Sequence, residues 1–119
     1  MRARPHLILE QQPHGLCITA AHAASWWARA IGLLGTPRPP ADGEGLLLDP
    51  GGAIHTVGMR YAIDVAFLDR DLRVLRVANA VSPNQIRCAP SGTRFCLETR
   101  SGALPSTLEG EFFTHRKGE

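Results

Sequence analysis

The segment that most constrains the fold runs from residue 54 to 69 and reads IHTVGMRYAIDVAFLD. Its β-forming residues and the hinge at Gly58–Met59 predict two β segments. In the second segment side chains alternate between two faces, with Ile63, Val65 and Phe67 on one and Asp64, Ala66 and Leu68 on the other. Asp64 interrupts an otherwise apolar run. Since an unpaired buried carboxylate is costly, it needs a partner.

Size and charge narrow the function classes. The chain has 119 residues, 44% hydrophobic and 20% charged, which predicts a single domain over 1–119. The net charge is +2 and no Lys/Arg block is present, so we expect no nucleic-acid partner. The one dense basic spot, His115–Lys117, is interpreted as an exposed tail.

The apolar runs are too short to cross a membrane, so we expect no membrane association. The start of the chain has two arginines, but only three apolar residues follow (Leu7 to Leu9) and no cleavage site comes next. We therefore expect a cytoplasmic protein. The odd number of cysteines, Cys17, Cys88 and Cys96, predicts reduced thiols.

The first third of the chain predicts a hairpin and a helix. Apolar segments at 6–10 and 16–19 flank a connection that contains Pro13 and Gly15, which is typical of a β-hairpin. The alanine-rich stretch that follows has apolar residues at helical spacing, and Thr19 is a suitable N-cap. A main helix is thus predicted from Thr19 to Leu34.

The remainder predicts strands joined by turns. A proline-rich loop covers 36–44, and strands are expected at 45–48, 72–81, 93–99 and 111–114, with one helical turn near 103–108. No internal repeat is present. The predicted class is α+β, mostly antiparallel β, with one substantial helix.

Several motifs, in order along the chain, resemble the domain of unknown function 192 family. They are Arg29-Ala30-Ile31-Gly32-Leu33-Leu34, Gly45-Leu46-Leu47, His55-Thr56 with Met59, Ile63-Asp64-Val65, Phe67-Leu68, Pro83, Leu97-Glu98 and Gly102. Relatives usually close with Gly-Asp and a hydrophobic strand, where this chain has Glu109-Gly110-Glu111-Phe112-Phe113. The resemblance implies a compact, barrel-like sheet with a flanking helix, and it implies no settled activity.

Two carboxylates are candidate functional groups. Asp64 could accept backbone N–H bonds near the Gly58–Tyr61 bend, or it could pair with Arg60 or Arg29. Glu98, on a predicted strand, could pair with an arginine or act as a general base.

His55 could be a base or metal ligand, or a hydrogen-bonded strand residue. Cys88 and Cys96 could join it around zinc, but the spacing fits no known zinc motif, so we expect no metal and no cofactor. Phosphate-binding and nucleophile-elbow motifs are absent from the sequence.

Three hypotheses follow. The favoured one is a binding module whose rim, formed by His55, Arg60, Asp64 and Glu98, holds a small polar ligand or a protein partner. The alternative is a small hydrolase or lyase in which Asp64 or Glu98 is the general base and Arg60 holds an anionic substrate. A third is a subunit that docks through an exposed tryptophan.

Overall fold

The regular structure is almost entirely β-sheet in the computed structural model, which describes residues 6–23 and 37–118. Within these residues the strands are β1 His6–Gln11, β2 Leu16–Ala23, β3 Glu44–Leu48, β4 Ile54–His55, β5 Ile63–Leu68, β6 Val74–Val81, β7 Ile86–Arg87, β8 Phe95–Arg100 and β9 Thr114–Lys117. The helical structure in this part of the chain is a single 3-10 turn at Ser106–Leu108.

Seven strands form one sheet in the order β6-β5-β8-β3-β2-β1-β9. Neighbouring strands are antiparallel except β2 and β3, which run parallel. The short strands β4 and β7 pair antiparallel in a ladder of their own. Strand β8 therefore lies between β5 and β3 and joins the two halves of the sheet.

The predicted hairpin of β1 and β2 is confirmed, but the predicted helix is wrong at its start. Residues Thr19–Ala23 continue strand β2, and the rest of the predicted helix lies outside the described residues. β2 pairs with β1 on one side and β3 on the other, and its Ile18 and Ala20 are buried. Two ladders and this burial outweigh the helix propensity of alanine, which is high but which tertiary contacts readily override.

The α+β class and the barrel-like closure are also wrong. The sheet is open, with edge strands β6 and β9. The two edges approach each other at an isolated bridge between Arg73 and Phe112, which is too short to close a barrel. The basic segment interpreted as a tail forms most of β9, which pairs with β1, so the last strand lies later than its predicted 111–114.

The sheet buries both of its faces, as the alternation in β5 predicted. One face carries what we call the inner core, with Leu9, Ile18, Ala20, Leu47, Ala66, Leu68, Leu72, Val74, Leu97, Leu104, Leu108 and Phe113. The opposite face carries the outer core, with Ala23, Leu46, Leu48, Ile54, Met59, Ile63, Val65, Phe67, Val81 and Cys96. Because six strands contribute to the inner core, the sheet must curl around it.

The loop after β3 crosses directly over β8, and this close approach requires a glycine. A Cβ on Gly51 would overlap backbone atoms of Phe95 and Cys96, whereas a Cβ on Gly52 would meet nothing within 4 Å. The same loop accepts a bond from the Cys96 thiol, whose Sγ lies 3.1 Å from the Gly52 carbonyl oxygen.

Gly51→Ala is therefore expected to lower the free energy of unfolding by about 2 kcal/mol, because backbone must move to admit the methyl group. Urea unfolding followed by far-ultraviolet circular dichroism measures this, with Gly52→Ala as the matched control. Equal stabilities of the two variants would contradict the close approach.

Candidate functional site

Asp64 is fully buried and serves as an acceptor for backbone N–H groups. Its Oδ1 accepts from Ala80 N at 2.8 Å. Its Oδ2 accepts from Gly102 N and Leu104 N, both at 3.0 Å. Three backbone donors thus occupy the two carboxylate oxygens. The sequence left open such a structural use of Asp64, with donors in the Gly58–Tyr61 bend. The donors come instead from later segments of the chain.

The donors belong to two irregular segments that the carboxylate holds together. Ala80 lies in a bulge of β6, where the register against β5 shifts and φ of Ala80 is 50°. Gly102 lies in the turn after β8, and Asn79 adds a bond from its Nδ2 to the Leu104 carbonyl oxygen at 2.6 Å. Asp64 thus fastens the bulge and the turn to the end of the inner core.

Glu98 points to the other face of the sheet. In the β5–β8 register Glu98 is opposite Val65, whereas Asp64 is opposite Thr99. Directly opposite residues in an antiparallel pair share a face, so Glu98 lies with Val65 on the outer core. The two carboxylates proposed as alternative bases therefore lie on opposite sides of the sheet.

Burial shifts the pKa of two side chains on this face of the sheet, Glu98 and Cys96. Desolvation raises the pKa of Glu98 from 4.5 to about 7, and no partner for its carboxylate is present among the described residues. Desolvation also raises the pKa of Cys96 to about 12. The bond to the Gly52 backbone opposes this shift in part, and the charge of Glu98 adds to it. A thiol and a carboxyl group, two positions apart on β8, thus share an apolar environment.

His55 and Arg60 lie at the surface. His55 is exposed on β4, opposite Ile86 of β7, and Arg60 is exposed in the bend before β5. The structure consequently separates the four predicted site residues: Asp64 is in the inner core, Glu98 in the outer core, and the other two are in contact with solvent.

A cleft that the sequence did not predict opens at one end of the inner core. We call it the mouth cleft; its volume is about 280 Å³. Its walls are the apolar side chains of Leu7, Leu9, Leu47, Leu72 and Phe95. The polar groups around it are those of His22, Asp49, Arg70 and His115.

The mouth cleft forms where several strand ends meet. β2 and β3 end there, the β5–β6 turn passes beside it, and β8 begins there. At the opposite end, Leu104 and Leu108 of the segment fastened by Asp64 close the inner core. One end of the curled sheet is therefore filled by the chain itself, and the other end is accessible.

The carboxylate in the mouth cleft is engaged by two neighbours. Asp49 Oδ2 lies 2.9 Å from His22 Nε2, and its Oδ1 accepts from Arg94 Nε at 3.3 Å. The Arg94 guanidinium also lies over the Phe95 ring, 5.4 Å from the centroid. Because Asp49 is occupied, Arg70 and His115 are the groups at the rim that can receive an anion.

Metal-binding geometry is not found in this part of the chain. Among residues 6–23 and 37–118, no group of three His, Cys, Asp or Glu side chains is arranged to hold a metal ion. Cys17 and Cys88 are exposed free thiols and Cys96 is buried.

The fold and motifs define a small β-sheet domain, and sequence comparison gives its family. The chain belongs to the domain of unknown function 192 family (DUF192, described as "Uncharacterized ACR"), which matches residues 8–108 and confirms the resemblance seen in the motifs. No curated protein matches the chain.

Two solved structures share the fold. A protein of unknown function from Novosphingobium aromaticivorans DSM 12444 superimposes with a TM-score of 0.76 at 19% identity, covering 93% of this chain and 83% of the other. A protein from Sinorhizobium meliloti 1021 described as a "putative transcription regulator" gives 0.80 at 14% identity, covering 98% and 96%. Such low identities establish the fold alone.

One further finding concerns membranes. The described ranges contain no helix with the length and hydropathy that spanning a bilayer requires.

Proposed function

We propose that this chain is a binding module whose mouth cleft holds a small, largely apolar ligand that ends in an anionic group. The observation that carries the proposal is the composition of the cleft. Five apolar side chains form its walls, and the cationic Arg70 stands at its rim. Apolar pockets with a few convergent polar groups are the usual form of small-molecule sites.

The charge arrangement favours an anion over a neutral ligand. The Arg70 side chain is 85% exposed and its ion pair with Asp71 is long, at 4.0 Å, so its guanidinium is available. His115, on β9, lines the same cleft. Asp49 is already bound by His22 and Arg94, so it repels an incoming anion less than a free carboxylate would.

The ligand predicted from the sequence was small and polar, or a protein. The apolar walls of the mouth cleft instead favour a ligand whose polar part is confined to one end. None of His55, Arg60, Asp64 and Glu98 lines this cleft.

Catalysis has less support. The side chains that line the described cleft include no hydroxyl and no thiol that could act as a nucleophile. Asp64 is saturated by backbone donors and Glu98 lies on the other face of the sheet, so the two cannot act on one substrate together.

Octanoate is a suitable probe because it combines an apolar chain with one carboxylate. We expect saturable chemical-shift changes at Leu7, Leu47 and Phe95 when octanoate is titrated into labelled protein. Arg70→Glu should weaken octanoate binding about tenfold, equivalent to about 1.4 kcal/mol, and leave octan-1-ol binding unchanged.

The matched control is Arg76→Glu, which reverses the charge of another exposed arginine outside the cleft lining. It should bind octanoate as the wild type does. Equal losses in both variants would indicate a general effect of net charge, and shifts confined to other parts of the sheet would remove the mouth cleft from consideration.

A further inference from the structure

The turn between β5 and β6 holds a leucine in a backbone conformation that favours glycine. The φ angle of Leu72 is 66°, in the left-handed region, where the Cβ atom is crowded by the neighbouring backbone. Within the described residues, the other non-glycine residues with positive φ are Ala80 and Asn84. Alanine is small and asparagine tolerates this region, so Leu72 is the bulky exception in the described ranges.

The hydrogen bonds of the turn fix this conformation. Leu72 N donates to the Asp69 carbonyl oxygen, and Asp69 N donates to the Arg73 carbonyl oxygen, both at 3.0 Å. The Asp69 carboxylate also accepts from Asp71 N and Arg73 N. A hairpin loop of three residues normally has glycine at its last, left-handed position, which is the position of Leu72. A side chain is thus retained where the backbone favours none.

The side chain of Leu72 lies between the inner core and the mouth cleft. It is 8% exposed and belongs to the inner core, and Leu72 also lines the cleft. Arg70, two positions earlier in the same turn, lines the cleft with an exposed side chain. The turn is also attached to the segment before β9, since Phe113 N donates to the Leu72 carbonyl oxygen at 3.0 Å. One fixed turn therefore supplies both an apolar wall and a cation to the cleft.

The location of the strained residue points to a use of its side chain. Strained backbone persists where the surrounding structure or the function requires it, and such residues gather at ligand sites. Leu72 lies at the open end of the inner core, beside a space of about 280 Å³. The leucine side chain is therefore kept, against the preference of the backbone, at the position where it can meet a ligand.

We propose that Leu72 is the specificity-determining residue of the mouth cleft: the strained turn holds its side chain against the apolar part of the ligand, while Arg70 receives the anionic end. This inference rests on the proposed function and adds a division of roles within one turn. Hydrogen bonds already fix the turn, so the contact costs little conformational entropy on binding. The Leu72 side chain acts on every ligand with an apolar chain, whereas the charge of Arg70 acts on anions alone.

Octanoate and octan-1-ol, titrated into labelled protein and followed by chemical shifts, test the contact. Leu72→Ala and Leu72→Gly should each weaken the binding of both probes about tenfold, because the lost contact is apolar. Leu72→Met keeps an apolar side chain of similar volume and should bind both probes within about twofold of wild type. Arg70→Glu provides the contrast, since it should weaken the binding of octanoate alone.

Urea unfolding followed by far-ultraviolet circular dichroism tests the strain. Leu72→Gly should unfold at a higher urea concentration than Leu72→Ala, although glycine is ordinarily the less stable of the two because it gives the unfolded chain more freedom. The matched control compares Asp71→Gly with Asp71→Ala, one position earlier in the turn, where φ is not positive. This pair should show the ordinary order, with alanine the more stable.

Leu108→Ala controls for a loss of stability without a loss of contact. It removes the same atoms from the inner core outside the cleft lining, so both affinities should stay unchanged. The proposal is overturned if Leu72→Ala and Leu72→Gly bind octan-1-ol as wild type does, if Leu108→Ala weakens binding equally, or if Leu72→Ala is more stable than Leu72→Gly. Each of these results leaves the proposed function standing while wild type binds octanoate in the cleft. Absence of octanoate binding by wild type would overturn both.

Discussion

Asp64→Asn is expected to lower the free energy of unfolding by about 3 kcal/mol, although the two side chains have nearly the same shape. The substitution replaces one of the two carboxylate oxygens, which accept bonds from the N–H groups of Ala80, Gly102 and Leu104, by an amide NH2 group. An amide NH2 group donates hydrogen bonds and cannot accept them, so at least one buried N–H loses its partner and faces another donor. Urea unfolding at neutral pH, compared with wild type, measures the loss.

Asp69→Asn is the matched control for this substitution. Asp69 Oδ1 also accepts backbone N–H bonds, from Asp71 at 2.8 Å and Arg73 at 3.0 Å, but in an exposed turn. Water can replace those bonds, so we expect a loss below about 1 kcal/mol. If Asp64→Asn were no more costly than Asp69→Asn, the fastening role of Asp64 would be wrong.

Glu98→Gln should have the opposite effect and stabilise the protein above neutral pH by about 3 kcal/mol. The pKa of Glu98 is raised to about 7 in the folded state by burial, against 4.5 ordinarily. Below pH 4.5 Glu98 is protonated in both the folded and the unfolded protein, so the neutral side chain makes its full contribution to stability. As the pH rises from there, the unfolded chain releases the proton first, so stability is lost until the folded group also ionises near pH 7.

The glutamine side chain stays neutral at every pH and so avoids this loss. Urea unfolding of wild type and Glu98→Gln at pH 4, 6 and 8 should give curves that coincide at pH 4 and diverge progressively above it. Glu44→Gln, which removes a carboxylate from the exposed start of β3, controls for net charge. A constant difference between wild type and Glu98→Gln from pH 4 to 8 would show that Glu98 is not desolvated.

Local patterns in the sequence predicted the parts of the fold that depend on neighbours in the chain. Period-two alternation assigned every residue of β5 to its correct face, and the Pro and Gly punctuation located the β1–β2 turn. The helix prediction failed at Thr19–Ala23 because alanines suit a helix in isolation. Their actual state was decided by pairing with β1 and β3, which no local pattern reveals.

The positions of the candidate site residues depended still more on pairing between strands that are far apart in the sequence. Asp64 and Glu98 both looked like carboxylates on strands, and only the β5–β8 register shows that they face opposite ways. The mouth cleft joins His22 with Asp49, 27 residues later, and its wall includes Leu7 from a strand that pairs with the supposed tail. Residues so far apart leave no spacing motif in the sequence.

The position of β8 also determines when this chain can fold. Until residues 95–100 have been synthesised, the strands that precede β8 can pair only as two separate groups, β1 with β2 and β3, and β5 with β6. Each would then present an open edge, at β3 and at β5, and the six residues of β5 are all buried in the finished protein. Exposed apolar edges of this kind favour aggregation, so we expect this chain to need protection by a chaperone until β8 has emerged from the ribosome.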